Sequence, residues 1–237
     1  MTKKPIVKEY LIDDGNMHPF AVICPGGGYA FISEDLEGAQ YAEFLNSKGI
    51  SAFVVHYRCN EKFPAQLDDL AAAVKDIFDR TDGRLDKDNY SVWGSSAGGH
   101  LAACFCTEKI GYKKYGLPKP RTVVLTYPVV TMGKLTHEGS RLILLGENPD
   151  EKLIELTSVE KQVAPSYPPC FVWCGTADGT VPPENSMMLA SALKDHGVEH
   201  ELVMYDGVDH ATGLGIGLKC EGWADKAVAF WLRQKKD

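Results

Sequence analysis

The sequence predicts an α/β protein with a doubly wound, mostly parallel sheet, helices on both faces and no large cap. Three observations predict it. Short runs rich in Val, Ile and Phe, apolar on both faces, recur along the chain as buried central strands do. Segments with helical spacing of apolar residues lie between them, and strands alternating with helices argue for a parallel sheet. A length of 237 residues with 44% hydrophobic content suits one large domain over 1–237. In such sheets a site is expected at the carboxyl ends of the strands.

The elements follow in order. Phe20–Cys24 is the first expected strand, and Ala39–Lys48 a helix stopped by Gly49. Ala52–Tyr57 is the next strand. Leu67, Leu70, Ala71, Val74, Ile77 and Phe78 then follow i, i+3, i+4, i+7 spacing, with Pro64 placed to open the helix. Tyr90–Trp93 is a strand, and a helix begins near Ala97. Thr122–Val130 reads as a strand throughout. Met132–Pro169 is long for a connection; it is expected to hold a short helix near Glu151–Leu156 and is a candidate to cover the site. Cys170–Cys174 and Glu201–Tyr205 are the last strands, and Pro182–His196 and Trp223–Arg233 the last helices. There is no internal repeat and no low-complexity linker.

Charge and composition narrow the function. A net charge of −7 with no basic stripe argues against nucleic acid as a partner. No apolar run approaches the length of a membrane span. Met1–Glu9 lacks the apolar stretch of a signal peptide. Seven cysteines, an odd number with mostly apolar neighbours and no C-x-x-C pair, suggest reduced thiols and a cytoplasmic setting. H-E-x-x-H is absent, so neither a metal nor a cofactor is expected.

One stretch organises the chain. Tyr90-Ser91-Val92-Trp93 runs into Gly94-Ser95-Ser96-Ala97-Gly98, and a helical run follows through Leu101 and Phe105. Strand, G-x-S-x-G, helix is the order of a nucleophile elbow: a serine on a strained turn, beside the free N–H groups of a helix N-terminus. Alone, the pentapeptide also reads as a Gly/Ser-rich turn. Three further stretches supply context. Cys24-Pro25-Gly26-Gly27-Gly28-Tyr29 follows a strand, and its N–H groups can point at a substrate together with that of Ala97, forming an oxyanion hole. As a phosphate loop it lacks the Walker lysine, and Phe31 stands where the third glycine of G-x-G-x-x-G belongs. Asp178, in Gly175–Pro182, also follows a strand; alone it reads as an Asp-Gly turn. His210 follows the last strand. Chain order Ser96, Asp178, His210 distinguishes the α/β-hydrolase triad from those of chymotrypsin and subtilisin. Asp206, Asp209, Ser95 and His100 fit the roles less well, His100 reading as a packing group one turn into the elbow helix.

These residues resemble the α/β-hydrolase esterases of acetyl-xylan-esterase-like type, related to the hormone-sensitive-lipase and prolyl-oligopeptidase groups. The resemblance rests on Pro25–Tyr29 with Ser33 and Glu37-Gly38, on Tyr57-Arg58, and on Gly94–Ala103. It continues through Ala164–Pro169, Asp178, Val181-Pro182, Glu184–Ser186 and His210. It implies Ser96 as nucleophile, Asp178 as acid and His210 as base, with Gly27, Gly28 and Ala97 as oxyanion donors. Two departures stand out. Pro25 replaces the histidine of the lipase H-G-G-G, and Ala211-Thr212 precedes Gly213 where a glycine is expected directly after the histidine. The implied activity is hydrolysis of short acyl esters, acetyl above all, on xylo-oligosaccharides or similar sugars. Tyr29, Tyr127 and Trp173 are candidates to line the pocket; as ordinary core aromatics they fit equally well. The alternatives are a prolyl-oligopeptidase-like peptidase and a non-catalytic binding protein on the same fold.

Overall fold

The computed structural model describes residues 5–81 and 83–234; the ends of the expected 1–237 domain lie outside them. Seven strands form one sheet: β1 (Ile6–Tyr10), β2 (His18–Cys24), β3 (Ser51–His56), β4 (Leu85–Ser95), β5 (Thr122–Thr126), β6 (Cys170–Gly175) and β7 (His200–Tyr205). Their order is β1-β3-β2-β4-β5-β6-β7, with every pair parallel except β1 against β3. Among the described residues seven α-helices accompany them: α1 (Gln40–Ser47), α2 (Ala65–Phe78), α3 (Ser96–Phe105), α4 (Glu138–Leu145), α5 (Glu151–Thr157), α6 (Glu184–Asp195) and α7 (Trp223–Leu232).

Alternation along the strands feeds two cores. On β2, Phe20, Val22 and Cys24 join α2, α3 and α6 on one face; Ala21 and Ile23 join α1 and α7 on the other. Both faces are apolar because both are covered, so the central strands read as continuous apolar runs. The second core is rich in aromatics packed tilted or edge-on, with Trp173 and Trp223 ring centroids 5.5 Å apart and Tyr41 and Trp223 5.3 Å apart.

The strand order places the site. The chain runs outward from β2 to β3, then returns to β4 on the other side of β2. The crevice of such a sheet opens where the order reverses, at the carboxyl ends of β2 and β4. Cys24 and Gly94 are register partners there, so the glycine run after β2 and the serine after β4 leave the sheet side by side.

Four differences from expectation have physical reasons. β1 carries Lys8 and Glu9 and is mostly exposed, so an edge strand shows no apolar run. β4 begins five residues before Tyr90, through the polar stretch Asp86–Asn89. β5 ends at Thr126, not Val130: Tyr127 turns the chain at φ +37°, while Val129 and Val130 stay fully buried without pairing as strand. The helix expected from Ala39 is preceded by a π-helical turn, Glu34–Ala39, and begins at Gln40.

Candidate active site

The elbow explains its own motif. Ser96 sits at φ +53°, a left-handed conformation that a side-chain-bearing residue holds only under constraint. The constraint is crowding. A methyl group on Gly98 would lie 2.1 Å from the Cys24 carbonyl oxygen, and one on Gly94 2.3 Å from the Gly98 carbonyl oxygen. Glycine at both positions lets β4, α3 and the end of β2 converge, and Ser96 is thereby raised at the first position of α3.

His210 joins the other two candidates. Its Nε2 lies 2.8 Å from Ser96 Oγ and its Nδ1 2.7 Å from Asp178 Oδ2. A carboxylate behind Nδ1 holds the proton there and leaves Nε2 to accept from the serine hydroxyl. Asp178 is fixed in turn: Oδ1 accepts the backbone N–H groups of Thr180 and Val181 at 2.9 and 2.8 Å. Asp209 braces the two loops, its carboxylate accepting from the N–H groups of Gly179 and His210 at 3.2 and 2.7 Å. Those backbone bonds hold the Asp209 carboxyl below its usual range. Asp206 is exposed and pairs with Lys219, away from the histidine ring. The residue after His210 is the departure from family pattern, and Ala211 adopts φ +53° there, the conformation a glycine would take without penalty.

Ser96 and His210 border a cavity of about 340 Å³, while Asp178 lies on the far side of the histidine ring. Gly27, Gly28, Ala30 and Phe31 form one part of its wall, with Ser33 and Glu37; His137, Gly139 and Ile143 form another. Gly27 requires glycine, because at φ +120° a methyl group would lie 2.1 Å from the Phe31 carbonyl oxygen. The N–H groups of Gly27 and Gly28 make no hydrogen bond among the described residues, and Ala97 lies in the open first turn of α3. Ala97 itself is fully buried beside Ser96.

The aromatic candidates are corrected. Tyr29, Tyr127 and Trp173 are almost fully buried, and none borders the cavity. Tyr29 turns inward to donate from its hydroxyl to His100 Nδ1 at 2.7 Å. Trp173 packs edge-on against Tyr127 within the second core. Tyr127 lies behind the histidine, its ring centroid 4.8 Å from that of His210. The large side chains that line the cavity beside the reacting residues include Phe31, Ile143 and His137, on irregular or short segments without sequence periodicity.

Glu37 carries no recognisable sequence signal beyond its place in the resemblance. It is 1% exposed, yet its carboxylate accepts from Tyr127 Oη at 2.7 Å and the Gly26 N–H at 2.8 Å, and Ser33 also donates to it. Burial pushes its carboxyl above the usual range, and its hydrogen bonds oppose the shift, those from Tyr127 and Gly26 most. Tyr127 Oη also accepts the Gly213 N–H at 3.2 Å. One buried acid thus ties the glycine run to the loop carrying His210.

The irregular stretch Met132–Pro169 contributes a wall. α4 is capped by His137, whose Nδ1 accepts from the Ser140 N–H at 3.3 Å and pairs with Ser140 Oγ at 2.8 Å. Its other end is held by Lys62, which donates to the Leu142 and Ile143 carbonyls, each at 2.8 Å. Among the described residues no group of three or more His, Cys, Asp or Glu side chains is placed to hold a metal ion, and no helix is long and apolar enough to cross a membrane.

Relatives share this arrangement of chain. A protein from Butyrivibrio fibrisolvens called endo-1,4-β-xylanase B is 34% identical over 232 residues, 93% of this chain and 36% of that protein. An acetylxylan esterase from Xylanibacter ruminicola is 31% identical over 224 residues, 88% of this chain and 44% of that one. The chain therefore spans less than half the length of either curated relative. Among solved structures, an acetyl ester-xyloside bifunctional hydrolase from Caldicellulosiruptor lactoaceticus superposes with a TM-score of 0.88 at 35% identity, over 95% of this chain and 89% of that one. A family model described as alpha/beta hydrolase fold matches residues 22–214, and the chain belongs to that family.

Proposed function

We propose that this protein is a serine esterase that removes short acyl groups, acetyl above all, from xylo-oligosaccharides or related sugars. The observation that carries the reading is His210 bridging Ser96 Oγ at 2.8 Å and Asp178 at 2.7 Å, at the edge of a cavity. His210 takes the proton of Ser96 as Oγ attacks the ester carbonyl. The developing oxyanion is met by the N–H groups of Gly27, Gly28 and Ala97. Collapse of the tetrahedral intermediate breaks the bond to the alcohol, which leaves with the proton from His210. Water, deprotonated by the same imidazole, then attacks the acyl-serine; acid is released and Ser96 regains its proton. Asp178 keeps the ring oriented and stabilises the imidazolium.

The substrate class is supported by the cavity and by the relatives. The cavity wall that Ser96 shares includes small residues, Gly27, Gly28 and Ala211, which suits a small acyl group. Two relatives above 30% identity bear names that place them on acetyl esters of xylan or xylosides.

The experiment compares p-nitrophenyl acetate, butyrate and octanoate with an acetylated xylo-oligosaccharide, for the wild type and Ser96→Ala. Expected are fastest cleavage of the acetate, deacetylation of the sugar, and loss of about 10⁴-fold or more in kcat for Ser96→Ala. Equal rates for wild type and variant would falsify the role given to Ser96.

A further inference from the structure

We propose that His137 is a specificity-determining residue, its free Nε2–H donating to a hydroxyl of the sugar alcohol beside the scissile ester. This rests on the esterase reading above and concerns the side of the substrate that the three reacting residues leave unbound.

The tautomer follows from the helix cap. His137 precedes α4, and its Nδ1 accepts from the Ser140 backbone N–H and lies 2.8 Å from Ser140 Oγ. A ring nitrogen that accepts a backbone N–H carries no proton, so in the neutral ring the proton is on Nε2. Burial first, and then the neighbouring His210, hold the imidazole below its usual range, which keeps it neutral near pH 7. Nε2–H has no partner among the described residues and is not sealed from solvent. A donor fixed in direction by its own ring, with its other nitrogen occupied, is a preorganised binding group.

Its position adds the ligand chemistry. His137 shares the cavity wall with Ser96, Gly28 and His210. A methyl group on Gly28 would lie 3.6 Å from His137 Cε1, so the ring packs next to the glycine run where the ester carbonyl is received. α4 is fastened at its far end by Lys62, and the segment leading to His137 is held by Asn185, whose side chain donates to the Leu135 carbonyl at 2.8 Å. The remaining α4 contributors to the wall, Gly139 and Ile143, offer no side-chain hydrogen-bonding group. A hydroxylated alcohol seated there meets one side-chain donor from α4 and its cap, and that donor is His137.

The test separates capping from recognition. Asparagine is a good cap and keeps an acceptor for the Ser140 N–H, but lacks the reach of the imidazole. His137→Asn is therefore expected to retain the thermal midpoint. The quantity read is the ratio of kcat/KM for acetylated xylo-oligosaccharide to that for p-nitrophenyl acetate, whose leaving group has no neighbouring hydroxyl. The ratio is expected to fall about five- to tenfold, the loss of one hydrogen bond, and mainly through KM of the sugar ester. The inhibition constant of deacetylated xylobiose against p-nitrophenyl acetate hydrolysis should rise by a similar factor. His137→Gln, with a longer amide donor, should recover part of both, and it serves in place of the first variant if that one fails to fold. An unchanged ratio, or an unchanged xylobiose constant, overturns the proposal. A wild type that cleaves p-nitrophenyl acetate through Ser96 yet ignores the sugar ester overturns the sugar reading, and the proposal with it.

Discussion

His210 and His100 use both ring nitrogens in the same fold, and what they meet decides what each can do. His210 Nδ1 faces a carboxylate and Nε2 a serine hydroxyl at a cavity. His100, one turn along α3 from Ser96, is 1% exposed; its Nδ1 accepts from Tyr29 Oη and its Nε2–H donates to the Thr157 carbonyl, both at 2.7 Å. Both of those partners are neutral. Burial pulls the His100 imidazole down to about 4, so it stays uncharged and serves as a cross-brace between α3, the glycine run and the end of α5. A histidine that is to carry a proton through a reaction needs an anion behind it and a reacting group ahead; His100 has neither.

Removing the anion tests that distinction with the largest effect. Asp178→Asn keeps the size of the side chain but offers His210 Nδ1 a donor as readily as an acceptor, which stabilises the wrong tautomer. We expect kcat on p-nitrophenyl acetate to fall by about 10⁴-fold, with far less change in KM. A fall of less than tenfold would mean that Asp178 is only a turn residue.

His100 provides the converse test, in stability. Its folded-state value of about 4 lies below the ordinary value of 6.5. Between those two pH values the unfolded chain binds a proton that the folded one refuses, so this contribution is complete above pH 6.5 and is lost as pH falls toward 4. The wild type should lose about 2 kcal/mol more unfolding free energy between pH 7 and pH 4.5 than His100→Gln, measured by urea titration. Parallel losses in the two proteins would show that His100 does not titrate this way.

Less of the site than of the sheet was legible in the sequence, and the reason is the same physics. β2, β3, β4 and β6 are buried on both faces, so burial itself writes the apolar runs that reveal them. Ser96, Asp178 and His210 each follow a strand end, and Ser96 is marked further by Gly94 and Gly98, where crowding demands glycine. Glu37, His137 and Ile143 had no such mark. Glu37 is a carboxylate within a π-helical turn, and its partners Gly26 and Tyr127 lie 11 and 90 residues away. Tyr127 misled for a related reason: an aromatic residue at a strand end is as consistent with a pocket wall as with a core, and only three-dimensional packing shows that it stands behind His210 rather than in front of it.

The support behind His210 can be weakened by one oxygen. Tyr127→Phe leaves the ring at its 4.8 Å contact but removes the hydroxyl that binds Glu37 and Gly213. Glu37 then loses its strongest side-chain donor while buried, at a cost of about 1–3 kcal/mol in stability, and the His210 loop loses an anchor. We expect kcat to fall about tenfold with KM nearly unchanged, and the thermal midpoint to drop. Tyr127→Phe should add little in a Glu37→Gln background, because both changes act on one network; full additivity would show that they act separately.

The smallest effect belongs to the residue after the histidine. Ala211 at φ +53° carries the cost of a methyl group in the left-handed region, about 1 kcal/mol, and glycine would remove it. Glycine also loosens the unfolded chain, by about 0.4–1 kcal/mol, which offsets most of the relief. Ala211→Gly should therefore shift the unfolding free energy by less than about 1 kcal/mol, in either direction. Activity is the sharper readout. If the alanine helps to hold His210 against Ser96, the glycine variant will lose kcat without losing stability; an unchanged kcat would show that Asp178, Asp209 and Tyr127 fix the ring without it. His100, braced within α3, depends on no such loop.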